Sequence, residues 1–249
     1  PHEHGYALSG FDLPDLKYAP GLLPPLPMKQ PFAYAFSRLT KRFPLLHREN
    51  GLAYDPEIAK STDPVWLEGY FQSVKYFEEH LDVIRADLTP KSEPDAENLK
   101  WLTEIQNEPL AVSLHVRRGD YVRNEKFAAQ HGTCTSEYYR KGLSRIIEQT
   151  GAEPVLYVFS DDPEWVRSNL KLPARMKVLG HNDASKNIED LRLMSACRHH
   201  IIANSSFSWW GAMLNPRSDK VVVTPSKWFA DPATKNPDIW PDDWLRVDG

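Results

Sequence analysis

Short apolar runs alternate with amphipathic stretches in the second half of the chain. The runs are rich in Val, Ile, Leu and Phe, which predicts strands, and the stretches between them place apolar residues three and four positions apart, which predicts helices. The strands are predicted at residues 111–116, 155–159, 176–179, 200–203 and 220–223. The helices are predicted at residues 136–149, 163–170, 187–197 and 206–214. This alternation is typical of an α/β fold with a parallel sheet and crossover helices.

The first half of the chain has a weaker pattern. Prolines follow one another closely between residues 14 and 44, which disfavours long helices and central strands there. Beyond them, the pattern predicts a short strand over residues 65–70 and helices over residues 72–86 and 98–105. Residues 91–95 are predicted to be a linker.

Composition and charge limit the partners. The formal net charge is −4, with acidic and basic residues interspersed, which argues against a nucleic-acid-binding surface and a polybasic membrane contact. Cys134 and Cys197 are far apart and lack CxxC-type neighbours, so neither a disulfide nor a structural zinc site is predicted. Since no stretch of 18 apolar residues occurs, no integral membrane segment is predicted. We expect a cytoplasmic protein, with a peripheral position at the inner membrane as the alternative.

Polar segments follow four of the predicted strands. In a parallel α/β sheet, ligands bind at the carboxyl ends of the strands, where helix N-termini present unpaired amides. We therefore expect the polar segments to converge on one site. They are residues 115–120, 160–162, 180–182 and 204–208.

Arg117 and Arg118 directly follow the first of these strands. One guanidinium is expected to face the strand-end crevice while its neighbour points elsewhere. The planar fork of N–H donors in arginine suits a diphosphate. The alternative is a surface turn in which the arginines pair with Asp120 and other carboxylates. Asp120 itself is either such a partner or a general base.

The segment from Asn204 to Phe207 has the composition of an anion site. Small polar residues after a strand precede an apolar helical run whose first amides are free. Ser205 or Ser206 is also an ordinary helix cap, and both roles are compatible.

Asp161 and Asp162 lie between a predicted strand and a predicted helix. We expect one of them to cap the helix and the other to accept a hydrogen bond from a ribose hydroxyl or a guanine N–H. No supporting cluster of metal ligands follows them, so no metal site is predicted.

Three long motifs resemble the alpha-1,2-fucosyltransferases, glycosyltransferase family eleven, in order and spacing. They are HVRRGDYV from residue 115, YVFSDDPEWV from residue 157 and NIEDLRLMSACRHHIIANSSFSWWGAML from residue 187. The segment WLEGYFQSVKYFEEHLDVIRADL from residue 66 resembles the region that precedes the first motif in bacterial members. The glycine-rich opening of family members, similar to GGLGNQMFQYA, has no counterpart in this sequence.

The resemblance implies a GT-B-like arrangement of two Rossmann-type domains. Residues 1–107 would be the remainder of an N-terminal acceptor-side domain and its linker, incomplete without the glycine-rich segment. Residues 108–249 would be the C-terminal domain that binds GDP-fucose. No cofactor or metal is implied.

The resemblance also implies roles for particular residues. Arg117 would contact the donor phosphate, and His115 with Asp161 or Asp162 would lie near the guanosine. The serine-rich turn would contact phosphate, and its residues are Ser205, Ser206 and Phe207. The predicted site as a whole comprises His115, Arg117, Arg118, Asp120, Asp161, Asp162, Asn204, Ser205, Ser206 and Phe207.

The predicted activity is inverting transfer of L-fucose from GDP-beta-L-fucose to O2 of a galactose-containing glycan. Donors fixed at the departing diphosphate stabilise a transition state in which negative charge develops there. Arg117 and Asp120 are the candidate catalytic residues. The alternative is a GDP-sugar-binding module, or an inactive relative, without transferase activity. The pattern does not indicate an oligomeric state.

Overall fold

The computed structural model describes residues 7–13, 32, 35–36, 45–61, 65–119 and 132–249. The chain divides into two compact units. The larger is drawn from residues 1–13, 82–234 and 242–249, and the smaller from residues 14–81 and 235–241. A domain boundary at residue 107 stays a prediction.

The smaller unit contains two parallel strands, β1 (Leu45–Arg48) and β2 (Val65–Glu68), and the short helix α1 (Pro56–Ala59).

The prediction of one helix over residues 72–86 is wrong in its first part. Two 3-10 turns occupy Val74–Tyr76 and Glu78–His80, and the α-helix α2 begins afterwards, at Leu81–Asp87. The break lies at Phe77, whose extended φ of −148° cannot continue a helix.

Six parallel strands form the sheet of the larger unit, as the alternating pattern predicts. They are β3 (Ala111–Val116), β4 (Val155–Ser160), β5 (Arg175–Leu179), β6 (His199–Ile201), β7 (Val222–Pro225) and β8 (Leu245–Val247). The first five correspond to predicted strands, whereas β8 is too short to give a periodic signal. Their spatial order is β5-β4-β3-β6-β7-β8. The direction in which strands are added therefore reverses between β3 and β6, which is the switch point where such sheets bind ligands.

Further helices of the described ranges accompany this sheet. They are α3 (Ala96–Asn107), α4 (Ser136–Thr150), α5 (Pro163–Asn169), α6 (Asn187–Ala196) and α7 (Ser206–Leu214). α4 shows why the predicted bounds hold: the Thr135 hydroxyl accepts from Tyr138 N–H at its start, and Gly151 ends it with a φ of 71°. Such a cap stabilises a helix by about 1 kcal/mol. None of the helices in the described ranges is long and apolar enough to cross a bilayer.

The two faces of the sheet bury different sets of side chains. Val112, Leu114 and Val116 pack on one face with α4 and α5. Ala111 lies on the other face, which packs with α3 and α6. Because side chains alternate along a strand, His115 shares the face of Ala111. This alternation sets the direction of the residues that follow β3. The parallel sheet with helices on both faces is thus established, whereas the second Rossmann-type domain of a GT-B fold stays a proposal.

Candidate nucleotide-sugar site

A cavity of about 510 Å³ lies in the larger unit at the carboxyl ends of β3, β4 and β5 and beside the start of α7. This volume is in the usual range for small-molecule sites. All four predicted polar segments contribute side chains to it, so their predicted convergence is confirmed. Its lining includes His115, Arg117, Ser160, Asp161, Gly180, Asn182, Asp190, Ser205, Ser206 and Phe207.

His115 lies near the carboxyl end of β3, and its neutral ring lines the cavity. It is 5% exposed, and its ring centroid lies 5.8 Å from that of Phe207. Burial lowers the pKa of His115 to about 4, with the Asp161 charge opposing the shift and Arg117 adding to it. Nδ1 has no hydrogen-bond partner among the described residues. A buried polar atom in that state needs a partner, such as an ordered water or a ligand.

Asp161 fixes the chain just after β3. Its Oδ1 accepts the Arg118 N–H at 2.9 Å, and its Oδ2 accepts the Gly119 N–H at 2.9 Å. Arg117 Nη1 lies 2.9 Å from the same Oδ2. A Cβ on residue 119 would lie 2.6 Å from Oδ2, so only glycine allows this close approach. The carboxylate therefore holds the Arg117 guanidinium at the cavity wall.

Arg118 takes the opposite direction, as alternation predicts. Its guanidinium lies 3.6 Å above the ring of Trp165, and its Nε is 3.7 Å from Asp162. Asp162 is the cap of α5, since its Oδ1 accepts the Trp165 N–H at 3.1 Å. Of the two aspartates, Asp161 lines the cavity and Asp162 caps the helix. Arg118 is not part of the cavity lining.

The N-terminus of α7 borders the cavity through Ser205, Ser206 and Phe207. Ser205 occupies the cap position with extended backbone, yet in the part of the chain that is described its hydroxyl makes no capping hydrogen bond. The first amides of a helix carry partial positive charge and bind anions. With Arg117 at the adjacent strand end, this corner of the cavity is suited to a phosphate.

Asn204 faces a different place. Its Nδ2 donates to the carbonyls of Trp228 and Gly132, at 3.3 and 3.4 Å. Its Oδ1 accepts from the Cys134 thiol at 3.6 Å. These contacts lie at a second cavity of about 460 Å³, beyond the ends of β7 and β8. Asn204 is therefore not part of the cavity lining that includes Arg117. Asp120, the remaining predicted residue, lies outside the described residues.

Sequence reasoning missed one acid of the cavity lining, Asp190. Asp190 lies on the first turns of α6, and its Oδ1 accepts from Asn182 Nδ2 at 2.8 Å. Burial raises the pKa of Asp190, and the Asn182 hydrogen bond opposes that rise. Asn182 lies within a predicted polar segment, whereas Asp190 gives no signal because an acid in the first turns of a helix is common. Nowhere in the described ranges do three His, Cys, Asp or Glu side chains converge as metal ligands do.

The cavity lining thus combines two chemically different groups. Arg117 and the first amides of α7 bind anions, whereas the partly exposed carboxylate of Asp190 accepts N–H donors. A nucleoside diphosphate has the same division between an anionic diphosphate and a base with N–H groups.

Comparison with known proteins agrees with this chemistry. The model of glycosyl transferase family 11 matches residues 57–248. The chain belongs to this family. Two Escherichia coli relatives, an alpha-1,2-colitosyltransferase and the O-antigen biosynthesis glycosyltransferase WbnK, are 36% and 35% identical over 187 residues. A galactoside 2-alpha-L-fucosyltransferase of Caenorhabditis elegans is 27% identical over 159 residues, covering 61% of this chain and 43% of that protein.

The family predicted from the three motifs is therefore confirmed. The alignments of this family 11 glycosyltransferase chain with its bacterial relatives cover 72% and 73% of the chain but only 61% and 60% of the relatives. The chain spans about three-fifths of the length of those proteins.

Proposed function

We propose that this protein transfers L-fucose from GDP-beta-L-fucose to O2 of a galactoside, with inversion, to form an alpha-1,2 linkage. The observation that supports it most is the meeting of Arg117 and the α7 N-terminus at the switch point of the sheet, in a member of glycosyl transferase family 11. GDP-fucose and a galactose-containing glycan are the proposed partners, and no nucleic acid is involved.

In the proposed complex, the diphosphate occupies the end of the cavity formed by Arg117 and the amides around Ser206. Arg117 keeps its ion pair with Asp161, which involves Nη1. A guanidinium carries five N–H donors in all. As the glycosidic bond breaks, negative charge grows on the diphosphate, so these donors bind the transition state more strongly than the ground state. Losing one such donor typically costs about 3 kcal/mol, or roughly a hundredfold in rate. The proposed mechanism contains no metal step.

The guanosine would lie toward His115 and Asp190. Asp161 already accepts hydrogen bonds from Arg117, Arg118 and Gly119. Its proposed role is therefore to position Arg117 and not to bind the base. A carboxylate offers about four acceptor positions, and the described part of the chain occupies one of them on Asp190. We therefore assign the guanine N1–H and 2-amino group to Asp190.

The proton of the acceptor hydroxyl needs an acceptor of its own. Asp120 follows the arginine pair and stays the candidate base, with the departing phosphate as the alternative.

A second donor is favoured by a specific observation. The relative that is 36% identical is named an alpha-1,2-colitosyltransferase. Colitose in place of fucose would leave the nucleotide end of the proposed complex unchanged.

The deciding experiment offers the purified protein a nucleotide-activated fucose or colitose with a panel of galactosides, followed by mass spectrometry and linkage analysis. The proposal expects an alpha-1,2-fucosylated product and release of GDP. If only a colitosylated product forms, the donor carries colitose and the assignment of fucose is wrong. If the protein binds GDP but forms no product with any combination of donor and acceptor, the alternative of a GDP-sugar-binding module without transferase activity is favoured.

A further inference from the structure

We propose that Asn98 is a positioning residue for base recognition: through Asn182, it orients the Asp190 carboxylate in the donor cavity and thereby sets the preference for guanine. This inference rests on the proposed function of the cavity. It adds a residue from α3, a helix that contributes no side chain to the cavity lining.

Asn98 is completely buried, with 0% exposure, and every hydrogen-bonding position of its amide is used. Its Nδ2 donates to Asp95 Oδ1 and to Asn182 Oδ1, both at 3.0 Å. Its Oδ1 accepts from Asn182 Nδ2 and from His181 Nε2, both at 2.9 Å. Asn98 and Asn182 therefore form a reciprocal pair of amides.

Asp95 determines which way the Asn98 amide faces. Its Oδ1 also accepts the Asn98 backbone N–H at 2.9 Å, and its Oδ2 accepts from Lys186 Nζ at 2.8 Å. The Lys186 ammonium and the Asn98 N–H hold the pKa of Asp95 well below its usual range. A charged carboxylate accepts and never donates, so the Asn98 NH2 group must face it and the Asn98 oxygen must face the loop after β5.

The Asn98 amide in turn orients the amide of Asn182. One N–H of its amide donates to Asn98, which directs the other N–H to Asp190 Oδ1 at 2.8 Å. His181, the neighbour of Asn182, lies parallel to the Trp101 ring with a centroid distance of 6.2 Å and helps to fix the loop. Fully satisfied buried networks of this kind hold one geometry.

A carboxylate fixed in this way can receive both N–H donors of a guanine edge. Inosine diphosphate keeps the N1–H but lacks the 2-amino group, so comparing GDP with IDP reports on this contact and not on the phosphates. Hydrogen bonds to a charged group change affinity by roughly tenfold to a hundredfold. A rotated Asp190 would lose this preference although the diphosphate end stays intact.

The experiment measures the GDP and IDP affinities of the protein by calorimetry, for the wild type, Asn98→Ala, Asn182→Ala and Asp190→Asn. We expect the wild type to prefer GDP about tenfold or more, and each variant to bring the ratio close to one. In the Asp190→Asn background, adding Asn98→Ala should change the ratio no further, because Asn98 acts through Asp190.

Asn215→Ala is the matched control. Asn215 is also a fully buried asparagine of the same unit. Its amide binds the Cys197 carbonyl and His200, and none of these residues lines the cavity. It should lower thermal stability and leave the GDP to IDP ratio unchanged.

An unchanged GDP to IDP ratio in a folded Asn98→Ala protein would overturn the role of Asn98. If that variant does not fold, an unchanged ratio in Asn182→Ala would overturn it equally, because the same amide pair is broken. A wild type that binds GDP and IDP equally would overturn the roles of Asn98 and Asp190 while leaving the phosphate site in place. A wild type that binds neither nucleotide would overturn the proposed function itself.

Discussion

Arg117 Nη1 lies 2.9 Å from Asp161 Oδ2, and the same carboxylate accepts the two backbone N–H groups that follow Arg117. One acidic side chain from the end of β4 thus fixes both the guanidinium and the main chain at the end of β3. Charge-assisted hydrogen bonds of this type are stronger than neutral ones. The position of Arg117 is therefore built before any ligand enters.

Asp161→Asn should weaken GDP binding by roughly tenfold or more. The amide keeps the size of the carboxylate, but its NH2 group opposes one of the two backbone N–H donors and its charge no longer holds Arg117. Calorimetry with GDP measures the effect. Asp219→Asn, which removes an exposed partner of Arg198, is the control and should bind as the wild type does. Equal affinities in both variants would argue that Asp161 does not organise the site.

Gly119→Ala should affect GDP binding, whereas Gly151→Ala should affect stability. A Cβ at residue 119 meets Asp161 Oδ2 at 2.6 Å, so the substitution should displace the loop and lower GDP affinity. At residue 151 no atom lies within 4 Å of the added Cβ, but the φ of 71° disfavours alanine. That variant should lose about 1 kcal/mol of stability and keep its GDP affinity. Urea unfolding and calorimetry on both proteins measure the two effects, and an unchanged GDP affinity in Gly119→Ala would mean that the close approach is unimportant.

Stability should fall as the pH drops below 6.5. Burial lowers the pKa of His115 to about 4 and that of His200 to about 3, from an ordinary 6.5. Between these values the unfolded chain binds protons that the folded chain excludes, so unfolding becomes easier by about 1.4 kcal/mol per pH unit for each histidine. Above pH 6.5 both states are neutral at these sites and the contribution is complete.

His115→Asn tests this dependence. Urea unfolding between pH 4.5 and 6.5 should show a slope that is smaller than that of the wild type by about 1.4 kcal/mol per pH unit. His80→Asn, at an exposed position, should leave the slope as it is. The same slope in all three proteins would mean that His115 is not held neutral by the fold.

Ser113→Ala should destabilise the core without changing nucleotide binding. Ser113 Oγ lies 2.7 Å from His200 Nδ1, and Asn215 Nδ2 lies 2.8 Å from His200 Nε2. Since Asn215 donates to Nε2, the proton on Nδ1 needs the serine oxygen as its acceptor. Loss of the serine hydroxyl should lower the free energy of unfolding, measured in urea, by about 1–3 kcal/mol. A stability equal to that of the wild type would show that another group satisfies the ring.

Much of the larger unit follows from local pattern. Apolar runs locate β3 to β7, and alternation along β3 predicts that Arg117 and Arg118 diverge. One of the two adjacent aspartates, Asp162, caps a helix as expected. These features depend on neighbours within a few residues, which a linear pattern records.

The remainder depends on contacts between distant residues. Asn98 and Asn182 pair across 84 positions, and no periodicity marks an amide pair. Asn204 and Ser205 both precede α7. The Asn204 amide nevertheless donates to the carbonyls of Gly132 and Trp228, away from the first cavity. Which side of a turn a polar residue faces is decided by these tertiary contacts.

Arg117 binds the diphosphate of the sugar nucleotide in the proposed complex, and titration of Arg117→Ala with GDP is the decisive measurement. Arg145→Ala, which removes an exposed guanidinium paired with Glu148 on α4, is the matched control. We expect a loss of roughly tenfold to a hundredfold in GDP affinity for a folded Arg117→Ala protein and no loss for Arg145→Ala. GDP affinity equal to that of the wild type in a folded Arg117→Ala protein would contradict the assignment of Arg117 to the diphosphate.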